Sequence, residues 1–100
     1  MNSEEINSIL KQFYEGDKNI AYTKLKKIFN ENKNNTKLRF NLAVIQQSLN
    51  LNNEARSNYK FLINSEQDIK SMFNLYLIEV KEERYLDALN LINNIIDKNN

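Results

Sequence analysis

Apolar residues along this chain recur at intervals of three and four, with polar residues filling the positions between them. Ile6, Ile9, Leu10 and Phe13 form one series, and Ala21, Leu25, Ile28 and Phe29 form the next. Such spacing lays an apolar stripe along one face of a helix, so the pattern predicts amphipathic helices rather than strands. Six segments carry it, over 3–15, 18–31, 37–49, 52–64, 69–82 and 85–97. Turn and cap residues separate them. In Glu15-Gly16-Asp17 the glycine is expected in a left-handed turn and the aspartate at the start of the next helix. Asn34, Asn35 and Thr36, then Ser65 and Asp68, mark the breaks between pairs.

The six segments fall into three similar pairs. Ala21, Ala55 and Ala88 occupy one column, 34 and then 33 residues apart. Ile6, Phe40 and Phe73 align with them, as do Leu10, Val44 and Leu77, then Leu25, Tyr59 and Ile92, then Ile28, Leu62 and Ile95. A period of this length is the mark of a helical repeat, in which each hairpin buries its apolar face against the next. One domain over 1–100 is therefore expected, with units at about 2–35, 36–68 and 69–100.

Composition sharpens this picture. Proline is absent and glycine occurs once, leaving little to interrupt a helix. The four alanines are placed selectively: three share the column above and Ala43 stands in the first helix of the middle pair. Small residues at fixed points indicate close approach of backbones. Cysteine and histidine are absent, which excludes disulfides and any nucleophile, acid–base pair or metal site built on those residues. A single glycine cannot form a phosphate-binding loop, so no cofactor is expected. The net charge of +1 gives no general attraction to nucleic acid or anionic membrane. Apolar runs are too short to span a bilayer, and Met1-Asn2-Ser3-Glu4-Glu5 has no signal-peptide character, so a cytoplasmic location is the expectation.

The stretch Glu15-Gly16-Asp17-Lys18-Asn19-Ile20-Ala21 running on to Leu25, Ile28 and Phe29 resembles the second half of a tetratricopeptide repeat. Phe40-Asn41-Leu42-Ala43, followed by Ala55, Tyr59 and Leu62, resembles a whole one. The resemblance implies an all-α fold, a right-handed superhelical stack of three antiparallel helix pairs. It also implies small residues at the eighth and twentieth positions, where Ala43 and the Ala21 column stand. The match is imperfect. Glu5, Arg39 and Met72 replace the frequent tryptophan of the fourth position, and Gln12, Gln46 and Glu79 the usual tyrosine of the eleventh. The outer units are degenerate; Ile9 and Tyr76 hold the eighth position there.

For function, the resemblance implies a non-catalytic scaffold that receives a protein, as an extended peptide or a helix, on the concave face lined by the first helices. It places Lys37 and Lys70, Ile6, Phe40 and Phe73, Asn7, Asn41 and Asn74, and Leu10, Val44 and Leu77 there. Phe13, Gln47 and Val80, with Tyr14, Ser48 and Lys81, complete the strip. The asparagine column can hold a peptide backbone through amide donors and acceptors, although about one residue in five is asparagine and the column is weak on that account. Phenylalanine on a helix ordinarily packs in a core, so Phe40 and Phe73 have that second fate open to them. The carboxylate clamp of some members of this family is not expected, because only Asn41 and Lys70 of its pattern are present.

Three other surfaces stand out in the sequence. Glu79, Glu82, Glu83 and Asp87, interleaved with Lys81 and Arg84, read as a solvated charged face rather than an acid–base or metal site. Lys18, Lys24, Lys26, Lys27, Lys33, Lys37 and Arg39, opposed by Glu31, gather around the second helix. They lack the aromatic and arginine-rich support that nucleic-acid binding needs. Leu89, Leu91, Ile92, Ile95 and Ile96 make the last helix apolar over a wide arc, which calls for a cover: further chain, a second copy in a homodimer, or a bound helix. The alternative to a free-standing adaptor is the repeat region that precedes the catalytic domain in some bacterial transferases, sulfotransferases and glycosyltransferases among them.

Overall fold

The computed structural model describes residues 3–98. They form six helices: α1 (Ser3–Glu15), α2 (Lys18–Asn30), α3 (Thr36–Ser48), α4 (Asn52–Glu66), α5 (Ile69–Lys81) and α6 (Tyr85–Lys98). No strand occurs among the described residues. The expected boundaries hold to within one or two residues, the largest shift being in α4. That helix runs through Ser65, which donates its hydroxyl to the Phe61 carbonyl at 2.9 Å instead of marking a break.

Three helices start on side-chain caps read from the sequence. Asp17 accepts from the Ile20 amide at 3.0 Å, Asn35 from Leu38 at 2.9 Å and Asp68 from Ser71 at 3.2 Å. Each satisfies an amide that the first helical turn leaves without a partner. The turns within the pairs depart from expectation. Gly16 does not adopt positive φ; Asn50 and Glu83, its counterparts in the next two units, do, at 61° and 60°. Their turns hold one residue more. In each, the residue after the left-handed one bonds back five positions, Leu51 to Gln46 at 2.9 Å and Arg84 to Glu79 at 2.8 Å, closing a Schellman motif. The shorter first turn closes by one bond from Gly16 to Gln12 at 2.8 Å. Glycine suits it for space: an added Cβ would lie 3.2 Å from the Gln12 carbonyl oxygen.

Each helix packs chiefly on its neighbours in the chain, and α3 also touches α5. The result is a row of hairpins. Its Cα radius of gyration, 14.1 Å, exceeds the roughly 13 Å of a compact 100-residue domain. The core lies in two linked clusters. Ile9, Phe13, Leu25, Phe29, Leu42 and Ile45 join α1, α2 and α3; Ala43, Ala55, Tyr59, Leu75 and Ile78 join α3, α4 and α5, with Leu91 of α6 against them. All four alanines are buried, with Ala21, Ala43 and Ala55 wholly so. The small-residue columns thus sit where the helices crowd, as the repeat predicted.

Candidate functional site

The first turns of α1, α3 and α5 line an open cleft of about 640 Å³. Its apolar lining includes Ile6 of α1 and Phe40 of α3; its polar lining includes Asn7, Asn41, Lys37 and Lys70. Phe40 is held from below, edge-on to Tyr59 with ring centroids 6.0 Å apart. The amides of Asn7 and Asn41 make no side-chain hydrogen bond among the described residues. They can pair with a ligand's backbone without first breaking an internal bond. Glu66 and Asp68 also line the cleft, so the two lysines do not make it a cationic site.

Five of the ten expected binding residues therefore share one cleft: Asn7, Lys37, Phe40, Asn41 and Lys70. The others lie further along the same helices. Leu10 is half-buried against the first core cluster and Val44 is half-buried on α3. Phe73 and Leu77 are exposed on α5, Phe73 with its ring stacked 6.4 Å from that of Tyr76. Asn74 is engaged internally, donating to the Tyr59 hydroxyl at 3.3 Å, while that hydroxyl donates to Gln47 at 2.7 Å. The asparagine column is thus divided: two free amides and one that couples α5 to α4. Phe13, expected along the strip, is 1% exposed and belongs to the core.

Polar groups that looked solvated in sequence form the joints between units. Glu79 is 2% exposed and accepts from Arg56 of α4, from Nε at 3.0 Å and from a terminal guanidinium nitrogen at 2.7 Å. Glu82 also pairs with Arg56, and Asn53 accepts from it at 2.8 Å. The expectation of a solvated charged face fails at Glu79 because Arg56 reaches it from the preceding hairpin. The hydrogen bond to Glu79 raises the Arg56 pKa, and the bond from Arg56 lowers that of Glu82.

A second chain of bonds ties α2 to α4. Gln46 donates to the Tyr22 hydroxyl at 3.2 Å, Asn58 donates to Gln46 at 2.8 Å, and Arg39 donates to Asn58 at 3.0 Å. Arg39 is no part of a free basic surface. Its guanidinium lies between the rings of Phe29 and Phe61, at 4.8 and 3.8 Å from their centroids, and burial lowers its pKa. Two of the neighbouring lysines rest on rings as well, Lys18 over Phe13 and Lys26 over Tyr22.

The structure therefore defines a class, an all-α row of stacked helical hairpins with an open cleft lined by residues of all three. No family model matches the chain, and comparison with curated proteins and with solved structures finds no match. Among the described residues no helix is long and apolar enough to cross a membrane.

Proposed function

We propose that the chain is a tetratricopeptide-like scaffold, a right-handed superhelical stack without catalytic activity of its own, that binds a protein partner through an extended peptide segment. The observation that carries this reading is the cleft with an apolar floor at Ile6 and Phe40 and two unengaged amides, Asn7 and Asn41, above it. An apolar floor supplies binding free energy, and a few convergent polar groups fix orientation. The amide pair suits a peptide backbone, which offers an alternating donor and acceptor whatever its sequence. An apolar side chain of the ligand would enter between Ile6 and Phe40. Lys37 and Lys70 are offset by Glu66 and Asp68, so the preference is for an apolar anchor rather than an acidic terminus. The cleft rests on residues fixed by the two core clusters, so little ordering opposes docking.

Selection from a random peptide library displayed on phage, against the immobilised protein, tests this. Peptides that bind should share an apolar anchor, and their amide chemical-shift changes should centre on Asn7, Lys37, Asn41 and Lys70. Asn41→Ala should weaken them about five- to tenfold, the worth of one or two neutral hydrogen bonds. Peptides whose shift changes centre on α6 instead, or whose affinity is indifferent to Asn41→Ala, would remove the cleft as the binding site.

A further inference from the structure

Behind the floor of the cleft, one side chain links three helices. Tyr59 of α4 is fully buried, and its ring supports Phe40 of α3. Its hydroxyl donates to Gln47 of α3 at 2.7 Å and accepts from the Asn74 amide of α5 at 3.3 Å. Gln47 in turn donates to the Asn74 backbone carbonyl at 3.5 Å. The three residues close a ring of hydrogen bonds between α3 and α5, two helices that meet only lightly and each pack more extensively on α4.

The preceding joint is built differently. The residues in register with Tyr59, Gln47 and Asn74 are Leu25, Phe13 and Asn41. Leu25 and Phe13 offer no side-chain donor or acceptor and are buried in the first core cluster, while Asn41 lines the cleft. Apolar contact holds helices together without a preferred direction, whereas a hydrogen bond demands a distance and an angle. At the second joint the place of α5 against α3 is therefore specified bond by bond. That place matters to the cleft, because α5 contributes Lys70 to its lining, one helical turn before Asn74. Burial pushes the Tyr59 pKa up to about 12, so the hydroxyl keeps the proton it gives to Gln47 throughout the neutral range.

We propose that the Tyr59 hydroxyl is a positioning group for the cleft: by bridging Gln47 and Asn74 it sets the placement of α5, and with it Lys70, relative to Lys37, Phe40 and Asn41 of α3. The proposal rests on the peptide-binding reading of the cleft and adds that affinity depends on a side chain wholly out of the ligand's reach. Tyr59→Phe keeps the ring beneath Phe40 and removes only the bridge, leaving the Gln47 and Asn74 groups without the partner that joins them.

The absence of native cysteine allows nitroxide labels at chosen positions. Labels at Lys37→Cys and Lys70→Cys, both exposed, report α3 against α5; labels at Lys11→Cys and Ser48→Cys, also exposed, report α1 against α3. Electron paramagnetic resonance of the ligand-free protein should give a broader distance distribution for the first pair in Tyr59→Phe, and again in Gln47→Leu. The second pair should not change. A peptide selected on the unmodified chain should bind unlabelled Tyr59→Phe roughly three- to tenfold more weakly, the worth of about one neutral hydrogen bond, with helical circular dichroism retained. An unchanged distribution for the first pair overturns the proposal. So does equal broadening of both pairs, the mark of general loosening, and so does unaltered peptide affinity. Failure of the cleft itself reads differently: peptides indifferent to Asn41→Ala would discard the binding site, whereas the distances, taken without ligand, decide the bridge.

Discussion

Replacing Arg56 by leucine tests how the second and third hairpins are joined. Glu79 lies 2% exposed in the α4–α5 joint, and Arg56 is its ion-pair partner, with Nε and a terminal nitrogen at 3.0 and 2.7 Å from one oxygen. Truncating one member of a buried pair leaves an uncompensated charge and costs about 3–5 kcal/mol. Native stability in a domain of this size is on the order of 5–15 kcal/mol. Arg56→Leu alone should therefore bring the chain close to unfolding, lowering Tm by roughly 15–30 °C. Arg56→Leu with Glu79→Leu removes both charges together and should recover most of that loss, because an apolar pair of similar volume is often neutral or better.

Urea denaturation followed by circular dichroism, for the unmodified chain, both single variants and the double variant, gives the coupling between the two residues. Thermodynamic closure of that cycle isolates their interaction from the separate effects of each substitution. The pH dependence supplies an independent check. In the unmodified chain Arg56 depresses the pKa of Glu82. Its contribution is present above the ordinary glutamate range and fades as pH falls through the depressed value. A loss below 1 kcal/mol in Arg56→Leu, or a double variant no more stable than that single one, would refute the claim that this buried pair holds the joint.

Two further predictions address the packing and a buried phenol. Ala55→Leu, at a fully buried helix crossing, should destabilise by about 1–3 kcal/mol in urea denaturation, as overpacking does, and an unchanged midpoint would contradict the close approach of backbones there. Burial of Tyr59 pushes its pKa up to about 12, so the unfolded chain ionises first as pH rises past the usual tyrosine value of 10. Stability should fall between those two values, by on the order of 2–3 kcal/mol from this group, and Tyr59→Phe should remove that slope.

The repeat was legible because the fold depends on features that sequence carries directly. Helix periodicity, three of the caps, and four alanines at fixed columns are local or translationally repeated, and each reappears where the spacing placed it. The cleft was legible only in part. A column predicts which residues share a helix face, but not which of them meets a neighbour first. Asn7, Asn41 and Asn74 are equivalent in sequence, yet only Asn74 has a tyrosine hydroxyl within reach, because Tyr59 occupies the matching position on α4 alone. Ile92 stands in that place on α6, and Leu25 on α2. Glu79 was misread for a similar reason: a run of carboxylates and cations looks solvated until the partner from the preceding hairpin is known. The left-handed conformation was also assigned by residue type, to glycine, whereas Asn50, Gln67 and Glu83 adopt it.

The column of Gln12, Gln46 and Glu79 shows how polar side chains join the helices of this row. Gln12 and Gln46 each accept a hydrogen bond from the residue twelve positions on, Lys24 at 3.3 Å and Asn58 at 2.8 Å. The equivalent of those donors on α6 is Leu91, which cannot donate, and Glu79 turns to Arg56 of the preceding hairpin instead. The same column therefore stitches the first two hairpins internally, while Gln46 and Glu79 also tie the second and third hairpins to their predecessors. Polar groups used this way must be matched one to one, since a buried donor or acceptor without its partner costs more than the pair contributes. That requirement explains why the interior joint and the open end differ in chemistry. The interior can carry Arg56 because Glu79 is present in the same chain, always at the same distance. On α6 the positions in register with Arg56 and Tyr59 hold Leu89 and Ile92, side chains that need no such partner and lose less when left exposed than a buried ion does when left unpaired.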